Sequence, residues 1–251
     1  MAYKVIMKVF RGLDNLPVFD KAVATMGSFD GLHCGHQELL RRVKSIASGS
    51  ETESVVITFE PHPRYVLGTG DRMYLLTTLE EKLHLLEQAG IDNVVVINFT
   101  REFSQTSPQD FIEQHIARMG IDTLVVGYNH RFGHKKEGDY DYLEQKGIFR
   151  VEMVEQQLQA ESKVSSTIIR QLLSRGRMGK AAKLLAHPYI IMCEVQSDGT
   201  ITGIEPTKML PTEGSYDAII DGRGVELIIE ANRKMRIATP EITGKVIIEI
   251  E

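Results

Sequence analysis

Residues 22–47 limit this chain most. The apolar run Ala22-Val23-Ala24-Thr25-Met26 leads into Gly27-Ser28-Phe29-Asp30-Gly31-Leu32-His33-Cys34-Gly35-His36-Gln37, after which Leu39, Leu40, Val43, Ile46 and Ala47 recur at helical spacing. The order is strand, turn, helix. In an open parallel sheet, ligands bind beyond the carboxyl ends of the strands, and a helix N-terminus there offers N–H groups and the positive dipole end to anions. Gly27, Gly31 and Gly35 let a backbone approach an anion closely, and His33 and His36 bring ring N–H donors. Phosphate chemistry is the use this pattern favours. Two histidines three apart also fit half a metal site or an exposed turn. A zinc site needs three or four ligands, and Cys34 points away from its neighbours in a simple turn, so no metal is assigned to protein residues.

The pattern repeats downstream. Ser54 to Phe59 reads as a buried strand running into Glu60-Pro61-His62-Pro63-Arg64, where two prolines stiffen the loop. Thr78 to Ala89 reads as a helix ending at Gly90, Asn93 to Asn98 as a strand, and Ser107-Pro108 opens a helix through Met119 that stops at Gly120. Thr123 to Gly127 is a strand that runs into Tyr128-Asn129-His130-Arg131-Phe132-Gly133. A helix over Glu137 to Lys146 and a strand over Phe149 to Glu155 follow, then a hydroxyl-capped helix from Ser165-Ser166-Thr167 through Leu173 and a helix over Lys180 to Leu185. Alternation of this kind predicts an α/β fold with a doubly wound parallel sheet. In such a sheet the segments around His33, His62 and Asn129, with the Ser166 cap, converge on one edge.

Pro188 marks a change. Four β-like runs, over 190–196, 215–220, 224–230 and 245–251, are separated by Asp-Gly, Pro and Gly turn signals, predicting a small β-barrel-like module. The expected domains are 1–187 and 188–251.

Residues 186–251 hold 6 Lys+Arg against 11 Asp+Glu and so account for the whole net charge of −5. With no basic excess, nucleic acid is not an expected partner. Met1 to Phe10 is too short and too charged for a signal peptide or membrane span, and Cys34 and Cys193 share no recognisable spacing. The expected location is the cytoplasm. Oligomeric state is left open.

Four motifs in order, Gly27 to Gln37, Thr58-Phe59-Glu60-Pro61-His62-Pro63-Arg64, Val126-Gly127 to Gly133, and Ser165-Ser166-Thr167-Ile168-Ile169-Arg170, make residues 20–190 resemble the bacterial FAD synthetases. These are bifunctional riboflavin kinase/FMN adenylyltransferases whose N-terminal half belongs to the H-x-G-H nucleotidyltransferases. The resemblance implies transfer of AMP from ATP to FMN, giving FAD and pyrophosphate, with Mg²⁺ accompanying ATP. It implies catalytic roles for His33, His36 and Arg170. ATP would be held by Gly27, Ser28, Phe29, Asp30, Gly35, Ser166 and Thr167, and the flavin by Pro61, His62, Pro63, Asn129 and Phe132; many relatives carry Asp at the position of Asn129. A different phosphorylated acceptor, or a non-catalytic flavin- or nucleotide-binding regulator, are the competing readings.

Beyond residue 190 the match frays. Where the family's six-stranded kinase barrel carries Pro-Thr-Ala-Asn for Mg²⁺ and ATP, this chain has Pro206-Thr207-Lys208-Met209. A thioether cannot replace a hard oxygen ligand of Mg²⁺. The remaining stretch reads as too short for all the kinase strands and loops, and no residue clearly takes the place of its catalytic glutamate. A shrunken barrel without kinase activity is the expectation.

Overall fold

A computed structural model describes residues 6–14, 16, 18–69, 73–155, 158–159, 162–238 and 241–250. Of the Met1 to Phe10 segment, residues 1–5 lie outside the described part. The chain packs as two compact units, one made of Met1–Phe29, His36–Arg72 and Leu85–Gln156, the other of Asp30–Gly35, Met73–His84 and Gln157–Glu251. Packing thus divides the chain at points other than the 187/188 boundary, because segments 30–35, 73–84 and 157–187 share a unit with the C-terminal strands.

The first unit is built on a six-stranded parallel sheet. Its strands are β1 (Lys8–Arg11), β2 (Ala22–Met26), β3 (Ser54–Glu60), β4 (Asn93–Asn98), β5 (Ile121–Gly127) and β6 (Arg150–Val154), ordered β1-β4-β3-β2-β5-β6. Only β1 escaped the sequence reading. Both faces are covered, so successive residues alternate between two cores. Ala22, Ala24, Met26, Val55, Ile57, Leu124 and Val126 pack with Phe111, Ile112, Ile116, Met119 and Leu143. Val23 and Val125 pack instead with Val43 and Ala47 of α1 (Cys34–Gly49). Each such fully buried Val or Ile contributes about 1.5–3 kcal/mol.

Chain order reverses between β2 and β5. From β2 the chain proceeds outward through β3 and β4, then crosses back to β5 and β6, so β2/β5 is the switch point at which ligand crevices form. Parallel neighbours β3, β2 and β5 therefore send their following loops, beginning at Pro61, Gly27 and Tyr128, from one sheet edge. The other helices are α2 (Pro63–Val66), α3 (Leu79–Gln88), α4 (Pro108–Asp110), α5 (Tyr140–Lys146), α6 (Ser166–Leu173) and α7 (Met178–Leu185). α4 continues through a π-helical turn, Phe111–Ile116, and a 3₁₀ turn, Ala117–Met119, and stops where Gly120 adopts φ +72°. α5 starts later than Glu137, because Gly138 bridges Phe132 and the Asp139 carboxylate caps the helix by accepting from the Tyr142 N–H.

In the second unit, β9 (Tyr189–Val195), β10 (Thr200–Thr202), β11 (Gly214–Ile220), β12 (Arg223–Ile229), β13 (Met235–Ile237) and β14 (Gly244–Ile250) close a six-stranded barrel ordered β10-β13-β12-β11-β14-β9; the two-residue strands β7 (Leu158–Gln159) and β8 (Ser162–Lys163) pair separately. The expectation of too few strands is corrected: β10 and β13, three residues each, were too short to show a period, and they complete the barrel. Asp221 and Gly222 both take positive φ in the two-residue β11–β12 turn, as the Asp-Gly signal predicts. Ile191, Val195, Ile220, Leu227 and Ile248 fill the core, and α6 and α7 join it through Ile169, Leu173, Ala181 and Leu185. Among the described residues, no helix is long and apolar enough to cross a membrane.

Candidate active site

The turn after β2 owes its shape to three left-handed residues, Phe29 at φ +47°, Gly31 at +82° and Leu32 at +35°. Such φ values at non-glycine residues cost of order 1–3 kcal/mol each, so other contacts must hold them. Those contacts come from distant segments. The Asp30 carboxylate, 3% exposed, accepts from the N–H groups of Leu76 (2.8 Å) and Thr77 (3.2 Å) through Oδ1 and is ion-paired through Oδ2 with the Arg170 guanidinium. The Ser166 hydroxyl donates to the Asp30 carbonyl at 2.9 Å, and the Gly31 N–H donates to Thr77 Oγ1 at 3.0 Å. Gly31 has a second reason to be glycine: a Cβ there would lie 2.7 Å from the buried Leu76 side chain.

This geometry narrows the expected roles. The N–H of Gly27 is spent on the Ile57 carbonyl and that of Gly31 on Thr77, so these two donors hold the turn's own shape. Arg170, at 15% side-chain exposure, uses Nε on the Tyr74 carbonyl (2.7 Å) and Nη2 on Asp30. Ser165 caps α6 by accepting from the Ile168 N–H, Ser166 braces Asp30, and Thr167 stands exposed in the first turn.

His33 is 9% exposed, and its ring lies over Gly35, where a Cβ would be 3.4 Å from it. Burial pushes its pKa down to about 4, against the nearby Asp30 carboxylate, so the ring is a neutral N–H donor at neutral pH. In the first turn of α1, His36 meets the buried Phe29 ring edge-on at 5.2 Å between centroids. The His33 shift has a sign. The unfolded ring binds its proton near 6.5 and the folded one near 4, so stability is complete above 6.5 and falls with pH across that window. His33 should cost roughly 3 kcal/mol once fully protonated. Urea midpoints at pH 6.5 and near pH 4 check this, and His33→Asn should flatten the dependence; an equally steep variant refutes it.

In the first unit, His62 is 7% exposed and caps α2, its Nδ1 accepting from the Arg64 N–H at 3.2 Å between Pro61 and Pro63. Asn129 is exposed after β5. Phe132 is placed differently from an open flavin contact. It is 8% exposed in the core, 6.0 Å from the rings of Phe111 and Tyr142, and Gly138 gives it room, since a Cβ there would lie 2.5 Å from the ring.

Sequence reasoning missed the supports of the turn, Leu76 and Thr77, and a second buried cluster. The Lys208 ammonium, fully buried, donates to Glu81 Oε2 (2.6 Å) and to the carbonyls of Leu76 (2.7 Å) and Ile190 (2.7 Å), and lies 4.2 Å from the Tyr189 ring centroid. Glu81 also accepts from the N–H groups of Thr78 (2.9 Å) and Met192 (3.0 Å). Thr78-x-x-Glu81 is a capping box whose signal was available in the sequence.

A glycine-rich turn carrying two imidazoles after a central strand of a doubly wound sheet defines the H-x-G-H class of α/β proteins, here joined to a barrel. The chain belongs to the FAD synthetase family, whose pattern it matches over residues 17–168. It is 33% identical over 203 residues to a FAD synthetase of Listeria monocytogenes, covering 78% of this chain and 80% of that one. A bifunctional riboflavin kinase/FMN adenylyltransferase of the same organism is 36% identical over 170 residues, 66% of this chain and 54% of that protein. The chain thus spans about half the length of that relative. A solved structure from Streptococcus pneumoniae, described as a macrolide-efflux protein, shares the fold with a TM-score of 0.84 at 22% identity, over 98% of this chain and 90% of that one.

Proposed function

We propose that the chain is an FMN adenylyltransferase. The FMN phosphate oxygen attacks the α-phosphorus of ATP, the bond to the oxygen bridging the α- and β-phosphates breaks, and pyrophosphate leaves. The nucleophile is already anionic, so the protein's work is alignment and charge stabilisation. The observation that carries this reading is the braced Asp30–Gly31 turn, strained and over-determined, with the neutral His33 ring directly after it. His33 and His36 donate to triphosphate oxygens. Arg170, fixed by Asp30 and Tyr74, presents its remaining N–H groups to the same anion with Thr167, while the Ser166 hydroxyl stays on the Asp30 carbonyl. Asn129 and the Pro61–Pro63 loop serve the flavin, and Phe132 supports its loop from the core. Mg²⁺ is part of the nucleotide substrate, and the Asp30 carboxylate is already taken up by Arg170, Leu76 and Thr77.

Riboflavin kinase activity is absent in this reading. The Pro206-Thr207-Lys208-Met209 segment is engaged internally: the Leu75 N–H donates to the Thr207 carbonyl (2.8 Å), the Met209 N–H to the Leu75 carbonyl (2.7 Å), and Lys208 is buried. Incubation with ATP, Mg²⁺ and either FMN or riboflavin tests both points. FAD and pyrophosphate from FMN, with no FMN from riboflavin, is the expected outcome. Nucleotide binding without pyrophosphate release would overturn the first proposal, and phosphorylation of riboflavin the second.

A further inference from the structure

The carboxylate and carbonyl of Asp30 and the N–H of Gly31 receive support from residues 76–77, 166 and 170, which leaves the Gly31 carbonyl. His187 faces it, with Nε2 3.0 Å from the oxygen. The ring stands where the chain leaves α7: Ala186 ends the helix at φ +59°, Pro188 follows directly, and Nδ1 lies 2.6 Å from the Pro188 carbonyl, so a neutral ring can donate to that oxygen or to Gly31. Both neighbours of the ring are acceptors, so a hydrogen bond to Gly31 requires the proton on Nε2. His33 and Lys208 are the cationisable groups that face the ring, and Lys208 disfavours its charged form.

We infer that His187 is a positioning residue for the nucleotide site, clasping the Gly31 carbonyl from the link between α7 and the first barrel strand. The peptide bond after Gly31 is planar and trans, so holding its carbonyl also fixes the opposite direction of the Leu32 N–H. Leu32 sits at φ +35° and connects that plane to His33. The clasp therefore sets the frame from which His33 reaches its phosphate oxygen, and it makes the barrel's attachment part of the site. This deepens the adenylyltransferase reading and rests on it.

His187→Ala and His187→Gln separate the clasp from general packing, because Gln restores an N–H donor without the ring. His187→Ala should raise the KM for ATP and lower kcat/KM about 10-fold, the scale of one lost hydrogen bond in a preorganised site, with the KM for FMN unchanged. His187→Gln should recover most of the loss. Thermal melting accompanies each variant. Parental kinetics for His187→Ala, or a His187→Gln variant equally impaired while melting like the parent, would overturn the clasp. If the parent itself makes no FAD, that failure falls on the proposed activity alone. The clasp is then read from the affinity for a non-hydrolysable ATP analogue, which His187→Ala must weaken and His187→Gln preserve.

Discussion

His36→Ala should lower kcat for AMP transfer by about 10²–10³-fold, the cost of removing one preorganised donor to charge that develops in the transition state. FMN affinity should stay near the parent's, because the loops proposed to serve the flavin follow β3 and β5. The size of the loss comes from the ring's fixed placement. His36 lies in the first turn of α1 with Phe29 against it, so under the proposed mechanism it would meet the phosphates without reorganising. A pyrophosphate-release assay paired with a flavin fluorescence titration measures the two quantities separately. Parental turnover would remove His36 from the mechanism, and a parallel loss of flavin binding would mean that it shapes the fold. Arg170→Ala is a less clean test, since it also strands the Asp30 carboxylate that braces Gly31.

Lys208→Met should be the most destabilising single change outside the turn. It leaves the Glu81 carboxyl in the interior, where side-chain exposure is 0%, with its N–H donors but without its counter-ion. Breaking one partner of a buried pair costs about 3–5 kcal/mol, which for a chain of this size is a Tm lower by roughly 10 °C. Adding Glu81→Gln to Lys208→Met should recover part of that, because the uncompensated charge is then gone. Calorimetric melting of the parent, the single variant and the double variant measures both effects. A single variant that melts with the parent would show that the cluster holds nothing together.

Much of the parallel-sheet half was legible because its signals are local. The runs at 22–26, 54–59 and 93–98 are strands since a strand buried on both faces needs continuous apolar residues. Gly120 and Asp221-Gly222 mark a helix end and a hairpin because their positive φ is required where they stand. The burial of Phe132 was not legible for the converse reason: a short loop motif says which residue types gather, while Gly138, several residues later, makes the space that draws this ring into the core.

By itself the sequence determined the alternation of strands and helices, the glycine-rich turn and the caps, all set by period and by φ within a few residues. Tertiary structure alone decided that Asp30 would be gripped by Leu76, Thr77 and Arg170, that Glu81 would neutralise Lys208, and that His33 would be kept uncharged. These depend on desolvation and on partners between 46 and 140 residues apart, and neither the loss of water nor the arrival of a distant charge leaves a mark in the spacing of residues along the chain.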